Sequence, residues 1–229
     1  MKLAIIIPAY NEEKVIKHVI EKLPKSLPGI NSTEIVVVND GSTDRTGEII
    51  EELSHIVTPL HLLINSGLGG AIGTGFTYAK RMGHDFLVTY DADGQHHPKD
   101  LTKVVTALVN NKGEFIVVSR LIKSKGMPWY RIFGNLGLNM ITLLLFGVKT
   151  TDSQSGLRGF NREAIEKMTI DAQRMEVSSI FFSETAKLKL KYAEVPIKAI
   201  YTKYSLGKGQ KNSNAIPLIA KLLWSKISR

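Results

Sequence analysis

A chain of 229 residues, 43% of them hydrophobic, can bury a full core as a single domain with appendages and needs no staples. It contains no cysteine, which excludes disulfides, thiolate metal sites and a cysteine nucleophile and fits a reducing compartment. The net charge of +9 (pI near 9.6) points to an anionic partner: nucleic acid, a phospholipid surface or a phosphorylated substrate.

Residues 2–8 read as a buried strand and 13–23 as a helix, with Val15, Ile16, Val19, Ile20 and Leu23 at helical spacing. The unit repeats: 34–38 is a β-branched strand, stopped by Asn39-Asp40-Gly41-Ser42, and 43–53 resumes helical periodicity behind a Ser/Thr cap. A short third strand is expected at 61–64, a glycine-rich turn at 65–70 and a helix at 71–82. The strand from Phe86 then ends abruptly in carboxylates, followed by a helix at about 101–110 and a strand at 114–119. Alternation of this kind predicts an α/β fold, a mostly parallel sheet with helices on both faces, whose ligands bind beyond the strand C-termini.

After Arg120 the pattern changes. Residues 127–146 form a long helical stretch, 156–161 a short strand, 179–190 a helix, 193–200 a strand, 201–214 a lysine-rich loop and 216–227 a last helix. One domain over 1–229 is expected, with a ligand-binding half (1–120) and an acceptor half (121–229). The opening apolar run is too short for a signal peptide, and 136–148 is shorter than the about 20 residues a membrane span needs, so a cytoplasmic location is expected.

Three strand ends carry polar signals: Pro8-Ala9-Tyr10-Asn11-Glu12, Asn39-Asp40-Gly41-Ser42 and Asp91-Ala92-Asp93-Gly94-Gln95. A parallel sheet brings all three to one edge. Asp91 and Asp93, two apart, can aim both carboxylates into one crevice, and Gln95 adds a further oxygen. Oxygen ligands of this kind suit Mg2+ or Mn2+, which would let an acidic edge coexist with the diphosphate of a nucleotide. A turn followed by a helix cap would use the same residues. His96 and His97 read as turn and capping residues, since hard cations prefer oxygen.

Over most of its length the sequence resembles the family 2 glycosyltransferases of GT-A fold, and among them the polyprenol-phosphate (dolichol-phosphate) mannosyl- and glucosyltransferases. The residues that carry the resemblance are Pro8-Ala9-Tyr10-Asn11-Glu12-Glu13, Val38-Asn39-Asp40-Gly41-Ser42-Thr43-Asp44, Gly67-Leu68-Gly69-Gly70-Ala71, Asp91-Ala92-Asp93-Gly94-Gln95-His96, Ser119-Arg120, Asp152-Ser153-Gln154-Ser155-Gly156 and Glu194-Val195-Pro196-Ile197. It implies that Pro8, Tyr10, Glu12, Val38 and Asp40 surround the base and ribose of a GDP- or UDP-hexose donor. Asp91, Ala92, Asp93 and Gln95 would serve ribose, diphosphate and metal, with Asp91 and Asp93 central to catalysis. Arg120, Arg131 and Lys208 would pair with donor diphosphate or acceptor phosphate. The chain departs from the pattern at Leu68, where many relatives carry a basic residue, and at Lys203, which stands nearest to where many place an arginine; lysine lacks arginine's bidentate fork.

The activity so implied is metal-dependent, inverting transfer of mannose or glucose to a polyprenyl phosphate at the cytoplasmic membrane face. A phosphate monoester, with a second pKa near about 6, is mostly dianionic at neutral pH and attacks without a base. A saccharide or other nonlipid acceptor is the alternative; its hydroxyl would need a carboxylate base, for which Glu176 and Glu184 are the candidates. Residues 129–146 and 216–227, both apolar with basic or aromatic flanks, could lie on a bilayer or pack as ordinary core. A dinucleotide-binding enzyme fits poorly, because Gly67-Leu68-Gly69-Gly70-Ala71-Ile72 lacks the third glycine and does not follow the first strand. Nucleic acid is not an expected partner, because an acidic edge repels its phosphates.

Overall fold

A computed structural model describes residues 1–94, 96–121, 129–170 and 177–198. Among the described residues seven strands form one sheet in the order β3-β2-β1-β4-β6-β5-β7. They are β1 (Lys2–Ala9), β2 (Ser32–Asn39), β3 (Thr58–His61), β4 (Phe86–Thr89), β5 (Phe115–Ser119), β6 (Arg158–Asn161) and β7 (Tyr192–Pro196). The pairs β1–β2, β1–β4, β2–β3 and β5–β7 are parallel, while β6 runs antiparallel to both its neighbours. The fold is the α/β, mostly parallel sheet expected from the sequence.

Because successive strand residues face opposite sides, β1 feeds two cores. Leu3, Ile5 and Ile7 join residues of α1 (Ile16–Glu21), α2 (Thr46–Glu52) and α4 (Pro98–Val109) on one face. Ala4 and Ile6 join residues of α3 (Gly67–Arg81) and α7 (Val177–Leu188), together with Ala164 and Ile165 of α6 (Arg162–Lys167), on the other. Helix α3 lies close on the sheet at Gly75, where an added Cβ would fall 2.3 Å from Ile6 Cγ2. Helix α5 (Trp129–Phe146) leaves Leu136, Met140, Leu143 and Leu144 exposed. Among the described residues no helix is long and apolar enough to cross a membrane.

Several boundaries differ from the sequence expectation. Residues 65–70 were expected to form a turn, but Gly67 opens α3 itself, at φ 78°, which glycine tolerates. The third strand lies three residues earlier than the apolar run 61–64, because pairing with Val36 to Asn39 of β2 selects Thr58 to His61 and leaves Leu63 fully exposed. Helix α2 has Arg45 at its N-cap with no side-chain cap; Asp44 instead accepts from Thr46 N (2.9 Å) and Thr46 Oγ1. Helix α6 was not anticipated. The expected loop 201–214 and helix 216–227 lie outside the described residues.

Candidate active site

The parallel strands β1, β2 and β4 end at one edge, and a cleft of about 360 Å³ opens there. Pro8, Tyr10, Glu12, Asp40, Asp91, Ala92 and Asp93 all line it. The chain after β2 is tied to the chain after β1 by hydrogen bonds: Asn11 N donates to Ser42 Oγ (3.1 Å), Thr43 N to Asn11 Oδ1 (2.9 Å) and Glu12 N to Thr46 Oγ1 (2.8 Å). Asn39 Oδ1 accepts from Ser42 N (3.1 Å), and its amide nitrogen meets His61 Nδ1 at 3.0 Å. Asp40 accepts from Ser66 N at the start of α3 (2.7 Å); burial raises its pKa despite the bonds from Ser66 and Gly67.

Val38, which the resemblance places beside the donor, does not line the cleft with its side chain, which is fully buried in the core shared with α3. The reason is strand alternation: Val36 and Val38 face the helix, so only the backbone of Val38 adjoins the edge.

Asp91 receives its setting from the second half of the chain. Strand β6 is antiparallel, so its first residues arrive at the edge where β4 ends, with Thr89 opposite Arg158. Gly156, just before β6, lies against the Asp91 carboxylate; an added Cβ would fall 1.9 to 2.2 Å from its three carboxyl atoms. Thr89 Oγ1 donates to Gly156 O (2.7 Å), which fixes that approach. Burial pushes the Asp91 carboxyl up, but His96, whose Nε2 lies 3.6 Å from Asp91 Oδ2, and the charges of Arg158 and Arg120 outweigh it and hold the pKa below the ordinary value.

Arg158, like Gln154, Gly156 and Ser178, lines the cleft without having been among the expected site residues. It is 1% exposed, lines the cleft, and stacks its guanidinium on Phe181 at 5.0 Å. Its Nη2 donates to Ser178 Oγ (2.8 Å) and Ser153 O (3.3 Å). Burial pulls its pKa down to about 10, against the opposing effect of Asp91 and Asp152, so it stays cationic at neutral pH. The signal in the sequence was an arginine inside the apolar strand pattern Leu157-Arg158-Gly159-Phe160.

The remaining expected residues divide. Arg120 is held by Asp152 in a bidentate fork, Nε to Oδ2 at 2.7 Å and Nη2 to Oδ1 at 2.8 Å, with its own backbone N donating to Oδ2 (3.0 Å). It does not line the cleft. Glu194 accepts from Thr151 N (2.7 Å), from the Thr150 and Thr151 hydroxyls and from Tyr192 OH, which ties β7 to the segment leading to Asp152. Glu184 is buried and accepts from Thr169 N (3.2 Å) and Lys187, so it braces α7. His97 caps α4: its Nδ1 accepts from Lys99 N (3.1 Å) while Asp100 Oδ2 accepts from His97 N (3.3 Å). His96, expected in the same role, is instead buried against Asp91, with its carbonyl accepting from Tyr90 OH (2.8 Å). Gln95, Glu176, Lys203, Lys208 and the side chain of Arg131 lie outside the described residues.

The described donor set for a cation is two carboxylates, Asp91 and Asp93, at an open cleft; no cluster of three His, Cys, Asp or Glu occurs among the described residues. That set fits Mg2+ or Mn2+ as nucleotide enzymes bind it, through one or two carboxylates with phosphates completing the shell.

The model of glycosyl transferase family 2 matches residues 4–169, and the chain belongs to that family of enzymes. It is 39% identical over 98% of its length, and 96% of the relative's, to a UDP-N-acetylglucosamine–dolichyl-phosphate N-acetylglucosaminyltransferase of Methanococcus voltae. It is 32% identical to a polyprenol monophosphomannose synthase of Mycolicibacterium smegmatis over 73% of this chain and 64% of that one. An uncharacterized protein of Methanocaldococcus jannaschii is 43% identical over 99% of this chain and 93% of its own. Among solved structures, glucosyl-3-phosphoglycerate synthase from Mycobacterium tuberculosis superposes with a TM-score of 0.71 at 19% identity, covering 96% of this chain and 79% of that one, which establishes the shared GT-A fold.

Proposed function

We propose that the protein transfers a glycosyl group from a nucleotide sugar to a polyprenyl phosphate, with inversion at the anomeric carbon. The observation that supports this reading is the cleft, whose lining joins Tyr10, Glu12 and Asp40, the proposed base-and-ribose side, to the carboxylates of Asp91 and Asp93. The acceptor class rests on the near full-length likeness to a dolichyl-phosphate enzyme. That relative's name specifies a UDP sugar, so UDP-N-acetylglucosamine joins UDP-glucose and GDP-mannose as a donor to be tested.

Asp91 and Asp93 would hold Mg2+ or Mn2+, which supplies positive charge to the departing diphosphate. Gly156 leaves room for the Asp91 carboxylate, and the charge of Arg158, which also lines the cleft, offsets that of the carboxylates. Asp40, anchored by Ser66, faces the nucleoside. The acceptor phosphate, already dianionic, needs no proton removed, which suits a cleft where the two nearby histidines cap a helix and pack on Asp91. Arg120, fixed by Asp152, would stand toward the acceptor, with Arg131 and Lys208 as further phosphate partners. The exposed apolar residues of α5 support peripheral contact with the membrane that carries such a lipid, at its cytoplasmic face.

The test is transfer of radiolabel from UDP-N-acetylglucosamine, UDP-glucose and GDP-mannose, with Mg2+ or Mn2+, into organic-extractable polyprenyl phosphate. Label in the organic phase establishes the lipid acceptor and identifies the donor. Donor binding or slow hydrolysis with no labelled lipid overturns the acceptor and turns the search to saccharide hydroxyls.

A further inference from the structure

Among the described residues, four polar side-chain atoms are buried without a hydrogen-bond partner: His96 Nδ1, Gln154 Oε1, Ser155 Oγ and Arg158 Nε. Three of them fall within residues 154–158, the segment that brings β6 to the cleft. Such atoms cost free energy when left unpaired, so Gln154 Oε1 and Arg158 Nε, whose residues line the cleft, are a standing cost unless something binds there. Gln154 and Arg158 line the cleft, together with Ser178.

Neither side chain is free to seek another partner. The Arg158 guanidinium is clamped between Phe181 and the bonds of Nη2 to Ser178 and Ser153, so its Nε stays where it is. The Gln154 amide nitrogen lies 3.3 Å from Ser153 Oγ, leaving the oxygen as the open function. The site therefore offers a fixed donor at Arg158 Nε, an acceptor at Gln154 Oε1 and the hydroxyl of Ser178, which accepts from Arg158 Nη2 and can still donate. A phosphate only accepts hydrogen bonds and cannot satisfy Gln154 Oε1. A sugar hydroxyl both donates and accepts, so a polyhydroxylated ring can satisfy the whole set. The segment also touches Asp91 through Gly156, which puts it beside the position proposed for the diphosphate, on the far side from Asp40.

We propose that Gln154, Arg158 and Ser178 bind the ring hydroxyls of the donor's glycosyl group and so contribute to the choice of sugar. This rests on the nucleotide-sugar reading above. The test is calorimetric titration of the full chain, in Mn2+, with UDP, UDP-glucose, UDP-N-acetylglucosamine, GDP and GDP-mannose, for wild type, Gln154→Ala and Arg158→Lys. For the nucleotide that binds, Gln154→Ala should raise the Kd of the sugar-bearing form about tenfold and leave the bare diphosphate within about twofold. Arg158→Lys, which keeps the charge but loses the fixed Nε, should act in the same direction. Donor analogues lacking one ring hydroxyl should reproduce the loss on the unmutated chain, independently of any effect on folding. Equal weakening of diphosphate and sugar-bearing forms, or no change in either, overturns the assignment; the second outcome means that water satisfies these atoms. Failure of wild type to bind any nucleoside diphosphate would instead remove the donor reading itself.

Discussion

The strands β3-β2-β1-β4 and the strands β6-β5-β7 build the same cleft by opposite means. The first group is parallel, each strand followed by a helix, and it delivers carboxylates at strand C-termini: Glu12 after β1, Asp40 after β2, Asp91 and Asp93 after β4. The second group delivers the start of a strand, because β6 is turned over between β4 and β5. Acidic groups come from the first and the buried cation from the second. A parallel sheet alone would have set carboxylates around the cleft without a positive charge in its lining; the reversed strand β6 places Arg158 there.

The largest effect expected from breaking this arrangement is at the carboxylates. Asp93→Ala should reduce glycosyl transfer by about 1,000-fold or more, with the Tm little changed, as measured by initial rates and thermal melting. Chelation of divalent cations should give a loss of the same order, reversed by Mg2+ or Mn2+.

Next is the contact between the two groups of strands. Gly156→Ala puts a methyl where the Asp91 carboxylate lies and should lower kcat by about 100-fold, more than it lowers nucleotide affinity. If kcat is unaffected, the two halves are not coupled through Asp91.

Within the first group, Gly75→Ala should destabilise the fold by about 1–3 kcal/mol by pushing α3 off Ile6, read from denaturant midpoints. A smaller loss, about 1 kcal/mol, is expected from His97→Ala, which removes the cap of α4.

The smallest effect concerns the opposite, N-terminal edge of the sheet. Glu34 accepts from Tyr78 OH (2.5 Å) and Thr58 Oγ1 (2.7 Å) and meets His84 Nε2 at 3.0 Å. Burial raises its pKa, but these partners outweigh that and hold it below the usual 4.5. A depressed folded pKa contributes stability above the unfolded value and loses it as pH falls through the folded one. The Tm gap between wild type and Glu34→Gln should therefore be full at neutral pH and shrink below pH 4.5; a gap that widens in acid would contradict this account.

Much of the first group could be read along the chain. Alternating strands and helices imply a parallel sheet, and a parallel sheet gathers its C-terminal ends, so Glu12, Asp40, Asp91 and Asp93 could be assigned to one edge from local pattern alone. The facing of the Val38 side chain could not be read in the same way, because it depends on the partner the strand packs against. The third strand slipped for a related reason: the apolar run 61–64 looks more strand-like than Thr58 to His61, yet pairing with β2 decides the register. The glycine-rich segment 65–70 reads as a turn because helix propensity disfavours glycine, whereas Gly67 opens α3 at a positive φ that glycine tolerates.

Fold class, family and acidic edge were legible along the chain, since they follow from periodicity and motifs carried within short stretches. The reversal of β6, the approach of Gly156 to Asp91 and the burial of Arg158 in the cleft lining emerge only in three dimensions. Those facts join residues more than 60 positions apart in the chain, and pairing across such separations is fixed by packing of the whole sheet, which no local pattern records.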